Sequence, residues 1–167
     1  MNKGFTVFTG ALISYFVTRD FPIFFITGVH VLDAPFSVAR KDIFFLHHVL
    51  ELCCYFLPDR AVDLKTFDLV KCVYTDPQLF SSTLRKKLFL FKLLVSFCFY
   101  EGHAPLSINM FHYLASESID SIEQSFLHLE VEKNIDRWLF SCVKAHPKFE
   151  EFKTVRFLKN IGCHDKT

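Results

Sequence analysis

Apolar positions recur along most of this chain at helical spacing. "RKDIFFLHHVLELCCYFL" (40–57) is apolar nearly all round and stops at Pro58, the pattern of a largely buried helix ended by a residue with no N–H to donate. "DRAVDLKTFDLVKCVYT" (59–75) sets Val62, Phe67, Val70 and Val73 at looser helical intervals, and Asp76-Pro77 breaks the run. "FSSTLRKKLFLFKLLVSFCFY" (80–100) offers Ser82 or Thr83 as a cap and is apolar on most faces, with only Lys92 interrupting its centre. That pattern predicts a central core helix. After a turn marked by Gly102 and Pro105, Ser107 caps a further helix. "SIDSIEQSFLHLEVEK" (118–133) continues with Ile119, Ile122 and Phe126 on one face. In "NIDRWLFSCVKAHP" (134–147), Ile135, Trp138, Leu139, Cys142 and Val143 fall at i, i+3, i+4, i+7 and i+8, one apolar stripe of a helix that Pro147 ends. "KFEEFKTVRFLKN" (148–160) pairs Phe149 with Phe152 and runs into an irregular tail. Five or six helices are expected from residue 40 onward.

Residues 1–38 read differently. "FTVF", "PIFFI" and "VHVL" carry the β-branched and aromatic content of short strands, and "GALISYFV" between the first two reads as a helix, with Gly10 and Gly28 as punctuation. A short α/β remnant, strand–helix–strand, is the expectation, and Pro35 marks the linker that follows it. Lys3 precedes an apolar run of signal-peptide length, but no small-x-small cleavage site follows. Neither that run nor "IFFITGVHVL" reaches the roughly 18–20 residues of a membrane helix, and joining them would bury Arg19 and Asp20. Two buried elements joined by a turn are expected instead.

Composition sharpens this picture in two respects. The chain has 22 Phe against 5 Gly and 6 Pro, which disfavours a turn-rich β-sandwich and favours packed helices; some of that phenylalanine is available to face a partner. Its formal net charge of +1 is no basis for a nucleic-acid surface, and the one basic cluster, Arg85-Lys86-Lys87, reads as a solvated helix face. The six cysteines, Cys53, Cys54, Cys72, Cys98, Cys142 and Cys163, include no C-x-x-C pair, so buried free thiols in a reducing compartment are expected rather than zinc or disulfides.

Chemistry is sparse. His47 and His48 are adjacent, so on a helix they diverge by about 100° and do not chelate one ion readily. His103, His112, His128 and His146 form no metal spacing, and no H-E-x-x-H, G-x-S-x-G, G-x-G-x-x-G or phosphate loop occurs. Cys142 and His146 are an i, i+4 pair, but Cys142 lies on the apolar stripe, which argues for inert packing. Glu150-Glu151 reads as a solvated face. No catalytic residue, metal ligand or cofactor is assigned.

Gly102, Leu106-Ser107 and Asn109, followed by Asn134, Arg137, Trp138 and Pro147, carry a resemblance over about residues 102–160. This segment resembles the C-terminal half of the glutathione-transferase-like domains attached to the translation machinery, which enter a helix by a Gly…Leu-Ser turn and close with Asn-x-x-Arg-Trp and a proline. The tail "TVRFLKN" (154–160) shares the likeness. It departs from the family at the capping box: with Asn109 at the family's Asp position the cap falls on Leu106, and with Ser107 as cap Met110 stands where the family has Asp. The amino-terminal segment is also too short for a thioredoxin-like half, and no pattern around Ser14 or Tyr15 matches the glutathione-activating residue of the enzymes.

The resemblance implies a mainly α chain: a short amino-terminal segment (1–38), an all-helical domain like the transferase C-terminal bundle (40–160) and a tail (161–167). It implies a non-catalytic adaptor in the cytoplasm and nucleus, docking onto a like-folded domain of an aminoacyl-tRNA synthetase, methionyl by family habit, or onto a sister scaffold protein, with no direct nucleic-acid or membrane partner. Asn134 and Arg137 would form the interface, while Trp138, Leu139 and Cys142 form the core of the motif. A glutathione-transferase-type enzyme, or a membrane-associated or viral host-interaction helical protein, are the alternatives.

Overall fold

The computed structural model describes residues 11–20, 23–33, 36–57, 63–97, 106–125 and 128–154. Among them a hairpin of β1 (Leu12–Asp20) and β2 (Ile23–Asp33) precedes six α-helices: α1 (Phe36–Phe56), α2 (Leu64–Thr75), α3 (Thr83–Ser96), α4 (Ile108–Ser116), α5 (Ile119–Gln124) and α6 (His128–Ala145). Short 3-10 turns occupy Pro77–Phe80 and Phe149–Glu151. The chain is therefore mainly helical. Expectations placed on residues 1–10 (the strand "FTVF" and Gly10), Pro35, Pro58, Cys98, Gly102, His103, Pro105, Phe126 and 155–167 lie outside the described residues.

Polar caps set most helix starts. Asp63 accepts from the Lys65 and Thr66 N–H groups, Ser82 from Arg85, Ser107 from Met110 and Ser118 from Ser121, each satisfying donors the first turn leaves open. α1 breaks at Asp42 (φ −160°, ψ 89°); the Asp42 carboxylate then accepts from the Phe45 N–H at 2.9 Å and recaps the longer part. The run expected to continue from residue 118 divides instead. Ser125 takes an extended conformation after α5, its hydroxyl donating to the Ile122 carbonyl at 2.7 Å.

α3 is the hub. Leu84, Leu88, Phe89, Leu90, Phe91, Leu93 and Leu94 are all buried, and the helix touches each of the other five α-helices. Lys92 is accommodated within this apolar helix because its ammonium donates to the carbonyls of Leu114 (3.1 Å), Ala115 (3.3 Å) and Glu117 (2.7 Å), closing the C-terminus of α4. Burial still pushes its pKa below the usual lysine value.

The basic cluster at the start of α3 is not a solvated face. Arg85 pairs with Asp120 and Glu123 of α5, Lys86 with Asp42 of α1 at 2.8 Å, and Lys87 with Glu132 (2.7 Å) and Asp136 (2.6 Å) of α6. The three side chains are 14%, 26% and 21% exposed. Consecutive residues on a helix diverge by about 100°, so each cation reaches a different neighbour. Removing any one would leave a part-buried carboxylate without its counter-ion.

The amino-terminal segment is a hairpin, not strand–helix–strand. Residues 12–17, within the run read as a helix, are strand. Ile13, Tyr15, Phe16, Val17 and Thr18 suit a pleated surface, and the pairing is antiparallel from Asp20↔Ile23 to Leu12↔Asp33. β2 carries two more residues than β1, taken up in two bulges. One contains Gly28 at φ +58°, where an added Cβ would lie 2.7 Å from Phe16 Cδ2; both the left-handed backbone and the close ring require glycine. The two elements are also not buried. Tyr15, Phe16, Val17, Ile26, Val31 and Leu32 are exposed, and no hairpin residue belongs to the described core. We expect Gly28→Val to abolish cross-strand NOEs such as Val17–Ile26, while the Trp138 fluorescence melt shifts by under about 0.5 kcal/mol. A large fall in that melt would show that the helical body depends on the hairpin.

Candidate functional site

α6 presents three faces. Val131, Ile135, Trp138, Leu139, Cys142 and Val143 form the inner one, all buried. Trp138, 1% exposed, packs its ring 4.7 Å from that of Phe91 on α3 and 6.0 Å from Phe111 on α4. The motif's tryptophan thus belongs to the contact between α6 and the hub. On one flank, Glu132 and Asp136 are bound to Lys87. Burial works against the Lys87 charge, yet the two carboxylates hold its pKa above the usual lysine value. On the outer face Lys133, Arg137 and Lys144 are exposed, and none forms an ion pair or side-chain hydrogen bond among the described residues. Asn134 is half-buried beside Arg137.

The other candidate residues do not assemble into reactive chemistry. Burial pushes the Cys142 thiol up to about 12 and Cys53 up to about 11, so neither supplies a thiolate at neutral pH. Cys142 is buried, Cys53 and Cys72 are half-buried and Cys54 is exposed, which corrects the expectation that the thiols in apolar runs are all buried. His146 lies just past α6. Its Nε2 faces the Tyr55 carbonyl at 3.1 Å and its Nδ1 accepts from the Lys148 N–H at 3.1 Å. A backbone donor at one nitrogen and an acceptor at the other assign the neutral Nε2–H tautomer, and both ring nitrogens are occupied. Phe149 meets Phe140 rather than Phe152; Phe152 packs on Tyr55, Phe56 and His146. Ser14 and Tyr15 stand exposed on β1. Among the described residues no His, Cys, Asp and Glu cluster is placed to hold a metal ion, and no helix is long and apolar enough to cross a membrane. Glu150 and Glu151 are exposed.

Sequence reasoning missed a clamp between α1 and the segment after α6. Glu51 accepts from the Lys153 N–H (2.7 Å), the Thr154 N–H (2.9 Å) and the Thr154 hydroxyl. His48, one turn earlier and 4% exposed, places Nδ1 2.6 Å from the same hydroxyl oxygen. The hydroxyl proton goes to Glu51, so His48 is the donor at Nδ1. The partners lie 103 and 106 residues apart, and no local pattern announces the pairing. The signal for the exposed cations was available: Lys133 and Lys144 share the polar side of the stripe on which Arg137 stands.

Burial lowers the His48 pKa to about 4, below the roughly 6.5 of an unfolded chain. The unfolded state therefore takes up the proton first, and His48 contributes stability that falls as pH drops through 6.5 and is fully lost below about 4. We expect urea unfolding to show a loss of about 3 kcal/mol from this group between pH 7 and pH 4, and His48→Gln to flatten that limb; parallel pH profiles would contradict the assignment. No family model, no curated protein and no solved structure matches the chain.

Proposed function

We propose that the chain is a non-catalytic adaptor of the translation machinery, a transferase-C-like helical domain that docks on a like-folded domain of an aminoacyl-tRNA synthetase or on a sister scaffold. The observation that carries the reading is the division of the Asn-x-x-Arg-Trp segment: Trp138 is buried against α3 while Arg137, the next residue along, is exposed. Packing of Trp138 fixes the backbone position from which the Arg137 side chain projects. Its planar fork can stack and hydrogen-bond at once, which suits an interface anchor. The tail "TVRFLKN" and the Asn134, Arg137, Trp138 and Pro147 pattern look most like elongation factor 1-epsilon, the aminoacyl-tRNA-synthetase-complex-interacting multifunctional protein. That likeness supports methionyl-tRNA synthetase as the partner and a cytoplasmic and nuclear location. The buried thiol of Cys142 and the engaged ring of His146 favour docking over thiol chemistry.

Capture from lysate tests the reading. Wild type should retain a synthetase or a sister scaffold, and Arg137→Ala should weaken retention while changing stability by under about 0.5 kcal/mol. Trp138→Ala should cost about 3–5 kcal/mol and unfold the helical body. Recovery of neither kind of partner, or retention on immobilised glutathione instead, would count against the adaptor.

A further inference from the structure

Of the described elements, only the hairpin contributes nothing to the core. Its sheet has two strands, a size that is marginally stable by itself in water and needs a third strand or a covering helix. Apolar side chains are open on both of its faces. Phe16, 71% exposed, and Val17, 47% exposed, are consecutive on β1 and so point to opposite sides of the sheet. The two outer edges differ. Both bulges lie in β2, one of them at the positive-φ Gly28, and a bulged edge is bent away from further pairing. Residues 12–18 of β1 include no charge, proline or glycine and carry no bulge. The outer row of N–H and C=O groups on β1 therefore has none of the features that usually block strand addition. Among the described residues no third strand pairs with it.

We infer that this edge takes a second copy of the chain: β1 pairs antiparallel with β1 of the other copy about a two-fold axis at Phe16, and two hairpins become one four-stranded sheet in the order β2–β1–β1–β2. The self-complementarity of β1 carries the choice of occupant. In that register Phe16 faces Phe16, Tyr15 faces Val17 and Ser14 faces Thr18. Aromatic with aromatic, aromatic with β-branched and Ser with Thr are pairings that stabilise neighbouring strands. Moving the axis one residue, to Tyr15, sets Ser14 against Phe16 and Leu12 against Thr18 instead. Four strands also exceed the three at which a sheet with an apolar face becomes stable by itself. The bulged β2 strands then form both outer edges, so the contact closes at two copies rather than extending into a fibre. Its size sets its strength. The exposed apolar residues of the hairpin, 43–71% exposed, present on the order of 600 Å² per copy, and edge pairing hides only part of that. The total falls below the roughly 1,200 Å² of a standard interface, which gives a Kd of about 10–100 µM rather than a permanent dimer. The inference is independent of the adaptor reading, since no residue of α6 takes part.

Sedimentation of the full chain over about 1–200 µM, a range that brackets such a Kd, tests the pairing. Wild type should pass from monomer to dimer. F16K and F16E each set two like charges directly opposite at the axis, so each alone should raise the Kd about tenfold or more. An equimolar mixture of the two should recover wild-type association, because each charge then meets its opposite. An NMR sample mixing isotope-labelled and unlabelled wild type at the top concentration should show NOEs from Tyr15 of one copy to Val17 of the other. The Val17–Ile26 NOE within each hairpin reports whether a variant still forms it; if F16K or F16E loses it, the mixed-label NOEs decide alone. A wild type that stays monomeric at the top concentration would leave β1 to an extended segment of another protein and overturn the inference. A dimer that F16K and F16E leave intact would overturn it too, as would a mixture that fails to recover with both hairpins formed. Absent mixed-label NOEs, or species that grow past two copies, have the same consequence. Dispersal of the dimer by phosphatidylcholine vesicles that take up the chain would make the occupant a lipid surface and likewise overturn it.

Discussion

Burial of α3 on every side is the constraint on which the helical body depends. A helix with seven buried apolar side chains must be covered all round, and each of the larger ones contributes about 1.5–3 kcal/mol when removed from water. The other five α-helices supply that cover. At its start the helix carries three cations in succession, which turns toward three different neighbours and fixes where α1, α5 and α6 lie. At its centre Lys92 closes the end of α4. The charged residues of α3 thus serve as orienting contacts around an apolar axis, and Trp138 brings α6 onto that axis through Phe91.

The position of α6 divides its residues into two sets of consequence. Everything on the inner stripe belongs to folding. The acidic flank belongs to α3 through Lys87. What remains free to act on another molecule is the outer face, where Arg137 lies between Lys133 and Lys144 in sequence. The backbone of that face is placed by the packing of Trp138 against Phe91 beneath it.

The parts of this fold legible in the sequence are those decided by local periodicity and capping. α3 and α6 follow from apolar spacing, and Ser82 and Ser107 cap where the pattern places them. The hairpin was not legible, because "GALISYFV" contains apolar residues compatible with either state and its strand conformation is decided by pairing with residues 23–33. The basic cluster was misread for a related reason. Whether a cation is solvated depends on which carboxylates lie opposite, and Asp42, Asp120 and Asp136 are 35 to 49 residues from their partners. The Glu51–Thr154 clamp spans a still longer separation. For the candidate site, sequence could place Arg137 off the apolar stripe, but not that Lys87 would engage both Glu132 and Asp136 on the neighbouring flank.

That partition of charge, engaged around α3 and exposed on α6, is what amine reactivity measures directly. Acetylation of the native chain with limiting acetic anhydride, read lysine by lysine by mass spectrometry, should modify Lys133 and Lys144 about tenfold faster than Lys87 and Lys92, with the difference lost in urea. If Lys87 and Lys92 react in the native chain as fast as Lys133 and Lys144, the helices are not arranged around α3 in the way described and the outer face of α6 has no special claim to a partner.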